Sequence, residues 1–170
     1  LSNNDAIGWG ASPKHDGSSA LIHFSESICR NTPVEVLEPN TGMFFEKVEL
    51  RADSGGAGKY RGGLGLRRDI RFVSNGEFLT VMKKSKSRPW ALKGGLEPEA
   101  NTIIAFPGTD REMRMSTKRI PVAIGDRISI LTAGGGGYGD PKTRDREKVR
   151  QDVIDELVSP EMARKIYGWG

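Results

Sequence analysis

Two glycine-dense segments restrict this chain more than any other feature. The first runs from Asp53 to Gly65 (DSGGAGKYRGGLG) and the second from Gly134 to Pro141 (GGGGYGDP). Glycine at that density marks backbone that no side chain would tolerate, through positive φ or through close approach of another chain or a ligand. A phosphate-binding reading is tempting and fails. A P-loop needs Gly, four residues, then Gly-Lys-Ser/Thr. Here Asp53 stands in place of the first glycine, where it would repel a phosphate, and Tyr60 replaces the magnesium-binding hydroxyl. The second box matches Gly-x-Gly-x-x-Gly at Gly134, Gly136 and Gly139, after a strand-like run from Ile128 to Leu131. A nucleotide fold needs a helix directly afterwards and then another parallel strand. Asp140 and Pro141 interrupt the way into a helix, and only helical sequence follows. Both boxes therefore read as tight connections in a strand-rich fold.

The 170 residues suit one domain with a real core. No run approaches the ~20 apolar residues of a membrane span, and no signal-peptide pattern is present. The single Cys29 excludes an internal disulfide and points to a reducing, cytoplasmic setting. A chain that begins at Leu1 rather than Met suggests a processed product, a split gene product or an ordered fragment. The net charge is only +4, but it is unevenly spread. Residues 1–50 carry 3 basic and 7 acidic residues, whereas residues 51–93 carry 11 basic and 3 acidic. Such a basic block can meet nucleic acid, an acidic subunit surface, or the acidic first third of the same chain. Nucleic-acid binders interleave aromatics with cations for stacking, and the stretch from Lys83 to Trp90 has one tryptophan and no repeat. That argues against nucleic acid.

Most of the chain alternates with period two, the signature of half-buried strands. Val48 and Leu50 alternate with Lys47 and Glu49. Leu66, Ile70 and Phe72 oppose Arg67, Asp69 and Arg71. Phe78, Thr80 and Met82 oppose Leu79 and Val81. Ile120, Val122 and Ile124 form another set, as do Ile128 and Ile130. Turn signals such as Ser74-Asn-Gly76, Gly94-Gly95 and Gly125-Asp126 separate them. The expected fold is mainly β, a sandwich or barrel-like arrangement of short strands with Gly-rich turns, with a C-terminal pair of short helices. Pro33 and Pro121 would sit on edge strands or at strand starts. Asp145 caps one expected helix, with Val149, Val153, Ile154 and Leu157 on its stripe. Ser159, Pro160 and Glu161 start the second, which carries Met162 and Ile166 and ends at Gly168. The expected division is an irregular segment over residues 1–30, completed by the rest of a larger subunit, then a β domain over 31–142 and a helical tail over 143–170.

Few residues offer chemistry. His15, Asp16 and His23 are metal ligands by type, but their spacing matches no familiar site, and turn roles fit them better. Cys29 has no dedicated base close in sequence and reads as a small buried apolar residue. Glu35, between Val34 and Val36, reads as an ordinary strand carboxylate. Arg30 and Asn31 suit a partner backbone or a substrate carbonyl. Asp53 and Arg61 bracket the first glycine box and are expected to pin it with a charge-assisted bond. Trp9, Trp90 and Trp169 read as core or interface anchors rather than a cofactor platform. The candidates for substrate or interface contact are thus Trp9, Asp16, Arg30, Asn31, Glu35, Asp53 and Arg61. The structural loop glycines are Gly55, Gly56, Gly58, Gly62, Gly63, Gly65, Gly134, Gly136 and Gly139. No catalytic set is complete, and no catalytic residue is assigned.

Five collinear motifs carry a resemblance. They are Arg30 to Glu38 (RNTPVEVLE), Glu49 to Arg68 (ELRADSGGAGKYRGGLGLRR), Pro89 to Gly95 (PWALKGG, with Ala91 where the pattern has glycine), Gly134 to Pro141, and Asp152 to Ala163. Gly8 to Ala11 and Asp16-Gly17 fit the same pattern. In order and interval the chain resembles the C-terminal part of the hydantoinase B/oxoprolinase family. The resemblance implies a subunit that works beside a hydantoinase A-type, actin-like ATPase subunit in a hetero-oligomer. Such assemblies use ATP to activate a cyclic amide for ring opening, or a ketone enol for carboxylation. It further implies that the metal-binding and main catalytic positions lie upstream. No cofactor or metal is then expected on this segment, while ATP and a divalent metal are expected in the complete complex. Under it, the glycine boxes would pack against the missing N-terminal part and the partner subunit. The leading expectation is part of an ATP-dependent cyclic-amide hydrolase. The alternatives are the same part of an ATP-dependent ketone carboxylase, or a non-catalytic assembly module.

Overall fold

The computed structural model describes residues 5–22 and 32–170. It contains seven short strands in two antiparallel sheets, with three short helices. The elements are α1 (Val34–Thr41), β1 (Met43–Leu50), β2 (Leu66–Phe72), β3 (Gly76–Thr80), β4 (Thr102–Ala105), β5 (Met113–Met115), β6 (Lys118–Val122), β7 (Arg127–Leu131), α2 (Arg146–Ile154) and α3 (Pro160–Tyr167). The larger sheet has the order β1-β2-β7-β4-β5, and β3 pairs with β6. The strands are sheet-forming as expected, but they do not close into a barrel.

The core lies between the two sheets. Pairing places Ile70 opposite Ile128, and Ile128 opposite Ala105 on its other side. The next row joins Arg68, Ile130 and Ile103. Phe72 meets Phe78 of the small sheet edge to face, with ring centroids 6.1 Å apart. Ile120 and Val122 close the same cluster from β6. Burying such side chains stabilises by about 1.5–3 kcal/mol each.

Around the sheets the sequence pattern and the structure part at α1, in β1 and after β6. Val34–Thr41 is a helix, not a strand, and Pro33 stands at its N-cap with φ −54°. The β-branched Val34 and Val36 disguise a helix start in which Glu35 favours the N-terminal dipole. The helix ends in Gly42, at φ 65°. Asn40 and Thr41 donate back to the carbonyls of Val36 and Leu37. In β1 the register shifts between Phe45 and Lys47, so Glu46 forms a bulge. Val48 and Leu50 alternate as expected, yet on this edge strand both remain exposed. Ile124 falls beyond β6 in the turn capped by Asp126, whose carboxylate accepts from the Ala123 amide, and is therefore exposed.

The helical tail forms as its caps specify. Asp145 accepts from the amides of Glu147 and Lys148, and Ser159 accepts from Met162. Gly168 follows α3 at φ 61°. Val149, Val158, Ala163 and Tyr167 pack with Ala57 of the first glycine box in a second apolar cluster. Ile154, expected on the apolar stripe, is exposed.

Phe72 is buried between the sheets, whereas Ile124 lies on a turn. Phe72→Ala should therefore cost about 3–5 kcal/mol in urea unfolding, and Ile124→Ala less than about 0.5 kcal/mol. Equal losses would place the core elsewhere.

Candidate functional site

The two glycine boxes meet each other. Residues 54–65 and 132–139 lie outside the named strands, and a third segment, residues 8–18, lies against both. Main-chain bonds tie the three together. The Gly8 amide donates to the Ala133 carbonyl, Gly63 to Trp9, Gly135 to Gly63, and Gly56 to Gly135, at 2.8–2.9 Å. A fourth segment joins at Leu92–Leu96: Leu92 donates to Gly137, and Leu96 donates to Ala57. Backbone here packs on backbone with no room for a side chain. A Cβ on Gly62 would collide with the Gly135 carbonyl, one on Gly135 with the Trp9 carbonyl, and one on Gly136 with the Trp90 carbonyl. Gly139 is needed for another reason, its φ of +75°. The expectation that these glycines face missing chains is thus corrected: their immediate neighbours lie within this chain.

A buried ionic chain clamps the junction to the helical tail. Asp16 grips Arg144 through both oxygens, at 2.7 and 2.9 Å, and accepts from the Arg61 amide at 2.7 Å. Arg144 also donates to Asp152 of α2 at 2.8 Å and to the Lys59 carbonyl. Asp152 in turn accepts from Arg61 at 3.4 Å, while Arg61 donates to the Gly62 carbonyl. The Arg144 side chain is 1% exposed. Burial works to raise the Asp16 carboxyl, but the Arg144 hydrogen bond and charge, with the Arg61 amide and charge, outweigh it and hold it below its usual value. For Arg144, burial opposes the charge, yet Asp16 and Asp152 hold the guanidinium above its usual value. Burial pushes the Tyr167 hydroxyl up to about 12, against the nearby Arg144 and Arg61 charges.

The candidate residues divide accordingly. Trp9 and Asp16 lie in the junction; Trp9 donates from its indole to the Leu21 carbonyl. Asp53 and Arg61 are also there but do not pin each other. Asp53, at φ 59°, receives the Ser159 amide at 2.8 Å and donates its own amide to Leu157. It fastens the first box to the α2–α3 connection, as Arg61 fastens it to α2. All nine expected loop glycines take part. Glu35 sits exposed on the first turn of α1, away from this set of bonds. Arg30 and Asn31, like His23 and Cys29, lie outside the described residues. His15 occupies a turn in which its Nδ1 meets the Ser12 hydroxyl at 2.8 Å.

Arg144 and Asp152 were missed in the sequence. Asp152 carried a signal, since it lies three residues from Val149 on the expected buried stripe. Among the described residues no group of three or more His, Cys, Asp or Glu is placed to hold a metal. A cavity of about 830 Å³ opens between the sheets, mainly apolar, with the Asp5–Arg68 ion pair (2.9 Å) on its wall. Burial raises the Asp5 carboxyl there, against the pull of Arg68. The junction itself holds main chains in place: its carboxylates and guanidinia pair with each other, with only the Arg144 Nε left without a partner among the described residues.

Gly62→Ala should cost about 3 kcal/mol, at the upper end of overpacking, while Gly76→Ala, with nothing within 4 Å of its Cβ, should be near neutral; thermal melts of the two compare them. Arg144→Met takes the shared guanidinium from between Asp16 and Asp152, leaving them only the Arg61 amide and side chain, and should cost about 3–5 kcal/mol. Because Asp16 titrates below its unfolded value, its contribution is full above about pH 4 and is lost as pH falls through the lowered folded value. Asp16→Asn should lower Tm at pH 7 and flatten the decline of Tm between about pH 5 and pH 2. An unchanged slope would remove Asp16 from the clamp.

A model of the hydantoinase B/oxoprolinase family matches residues 2–141. The B-type subunit of a putative D-/L-hydantoinase from a Pseudomonas species (strain NS671) is 30% identical over 142 residues, covering 82% of this chain and 24% of that protein. The crystal structure of the ATP-dependent caprolactamase from Pseudomonas jessenii superposes with a TM-score of 0.78 at 26% identity, over 96% of this chain and 29% of that one. A nucleotide-free acetone carboxylase superposes with a TM-score of 0.77 at 21% identity, over 96% of this chain and 26% of that one, which shows a shared fold. The chain spans about a quarter of the length of these relatives. The glycine-packed junction and its sheets are therefore those of a member of the hydantoinase B/oxoprolinase family.

Proposed function

We propose that the chain is the C-terminal portion of a hydantoinase B-type subunit in an ATP-dependent cyclic-amide hydrolase. The observation that carries this reading is the family match through residues 2–141 together with 30% identity to the B-type subunit of a hydantoinase. The caprolactamase supports the class of reaction, since caprolactam is a cyclic amide and that enzyme is ATP-dependent. In this reading the catalytic and metal-binding groups are supplied by the rest of the subunit. An ATPase subunit of the hydantoinase A type provides the activated phosphate, in the cytoplasm. The present segment contributes a rigid scaffold: extended chains locked by main-chain bonds and by the Asp16–Arg144–Asp152–Arg61 clamp.

A ketone carboxylase is the second reading, favoured by the likeness to acetone carboxylase, which is one of fold. Activating an amide carbonyl and activating a ketone enol both consume ATP, but only carboxylation consumes bicarbonate. The whole subunit with its ATPase partner should hydrolyse ATP faster on addition of a cyclic amide and should release the ring-opened amino acid with no need for bicarbonate. ATP turnover that needs bicarbonate and yields a carboxylated ketone would overturn the hydrolase assignment. Turnover indifferent to both, with assembly intact, would leave a scaffold.

A further inference from the structure

The structure sorts the basic block of residues 51–93 into two populations. Its arginines are engaged: Arg51 and Arg88 face Glu99, Arg61 faces Asp152, Arg67 faces Asp69, Arg68 faces Asp5, and Arg71 faces Glu46. The lysines of the loop that follows β3 have no carboxylate partner among the described residues. Lys83, Lys84, Lys86 and Lys93 are exposed, and none of them forms an ion pair among the described residues. Residues 83–93 hold five cations with Arg88, and no acid.

The same loop exposes apolar surface. Trp90 is 71% and Val81 73% exposed, and Leu92 is also open. Yet the backbone beneath them is fixed. The Trp90 carbonyl presses on Gly136, where no Cβ would fit. Leu92 donates to Gly137 and accepts from Gly95 and Gly139, all at 3.0 Å. Asn101 holds the carbonyls of Lys83 and Lys84. Lys84 and Lys93 sit at positive φ, 56° and 53°. Strained positions that packing over-determines concentrate at working surfaces. The Lys84 ammonium stands 5.6 Å from the Trp90 ring centre.

We propose that this loop is a docking surface for an acidic protein partner, with Trp90 as the anchor seated in an apolar recess and the lysines paired to carboxylates around it. A large aromatic already held in place loses little freedom on binding, which is how tryptophan comes to dominate interfaces. The unpaired lysines steer and orient an oppositely charged surface. A nucleic acid fits less well. Successive bases need a row of stacking platforms, and here a single ring stands beside a lysine, the loop's other exposed apolar side chains, Val81 and Leu92, being aliphatic. This inference rests on the reading above, in which the partner is the ATPase subunit.

The test uses the complete subunit and that ATPase subunit, purified separately, with association measured across a salt series. Trp90→Ala should weaken binding by about tenfold or more, and Lys83→Glu/Lys84→Glu/Lys86→Glu by about tenfold or more at low salt, with a shallower salt dependence. Melting temperatures should stay at the wild-type value, because these side chains are exposed. Variants that associate as the wild type does overturn the docking surface, and if lactam-dependent ATP turnover then persists, the hydrolase reading stands alone. Wild-type subunits that neither associate nor show that turnover overturn both. A single-stranded oligonucleotide that displaces the partner, and whose binding is lost in Trp90→Ala, overturns the protein partner in favour of nucleic acid.

Discussion

The junction that joins the sheets to the helical tail depends on main chains approaching closer than any side chain allows. At Gly62, Gly135 and Gly136 the space a Cβ would occupy already holds the carbonyl of a neighbouring segment. Glycine is entropically costly to order, and several segments of it are ordered together here. The cost is offset by main-chain bonds that satisfy the donors and acceptors such packing buries, and by the buried charges that hold the stack from one side. The core between the sheets uses the ordinary means of Ile, Phe and Val burial. The junction uses almost none, and so it relies on the tail helices for an apolar cover through Val149, Ala163 and Tyr167.

The clamp shows how a charged group can be structural in such a setting. A buried ion pair gains little over an apolar substitute unless its geometry is good and its remaining hydrogens are satisfied. Arg144 meets most of that condition: its two terminal nitrogens reach two carboxylates and a carbonyl from three separate segments, while its buried Nε has no partner among the described residues. Its planar fork suits the task in a way lysine would not. The chain corresponds to about a quarter of the length of the hydantoinase subunit, the caprolactamase and the acetone carboxylase.

Much of this was legible in the sequence where one physical rule acted alone. Strands β2, β3 and β7 follow from alternation, and α2 and α3 follow from Asp145, Ser159, Pro160 and Gly168. The rule failed where two signals competed. Val34 and Val36 favour a strand, but Pro33, the acidic first turn and Gly42 bracket a helix. The glycine boxes were recognisable as close-approach backbone, but not what approached, because pairing among irregular segments leaves no periodicity. Asp53 and Arg61 were the right anchors with the wrong partners: their nearness in sequence suggested a bond between them, and each instead reaches the helical tail. Arg144 was invisible, since a cation beside a helix cap reads as surface until its two carboxylates are placed around it.

The clamp also joins residues very far apart along the chain. Asp16 and Arg144 are 128 positions apart, Asp53 and Ser159 106, and Arg61 and Asp152 91. Contacts of such span are made late, because long stretches of chain must be brought together before any bond rewards them. During synthesis the sheets and the main-chain bonds among the glycine segments need only the chain up to residue 139, whereas the ionic clamp that fixes them to the tail cannot close until Arg144 and Asp152 have left the ribosome.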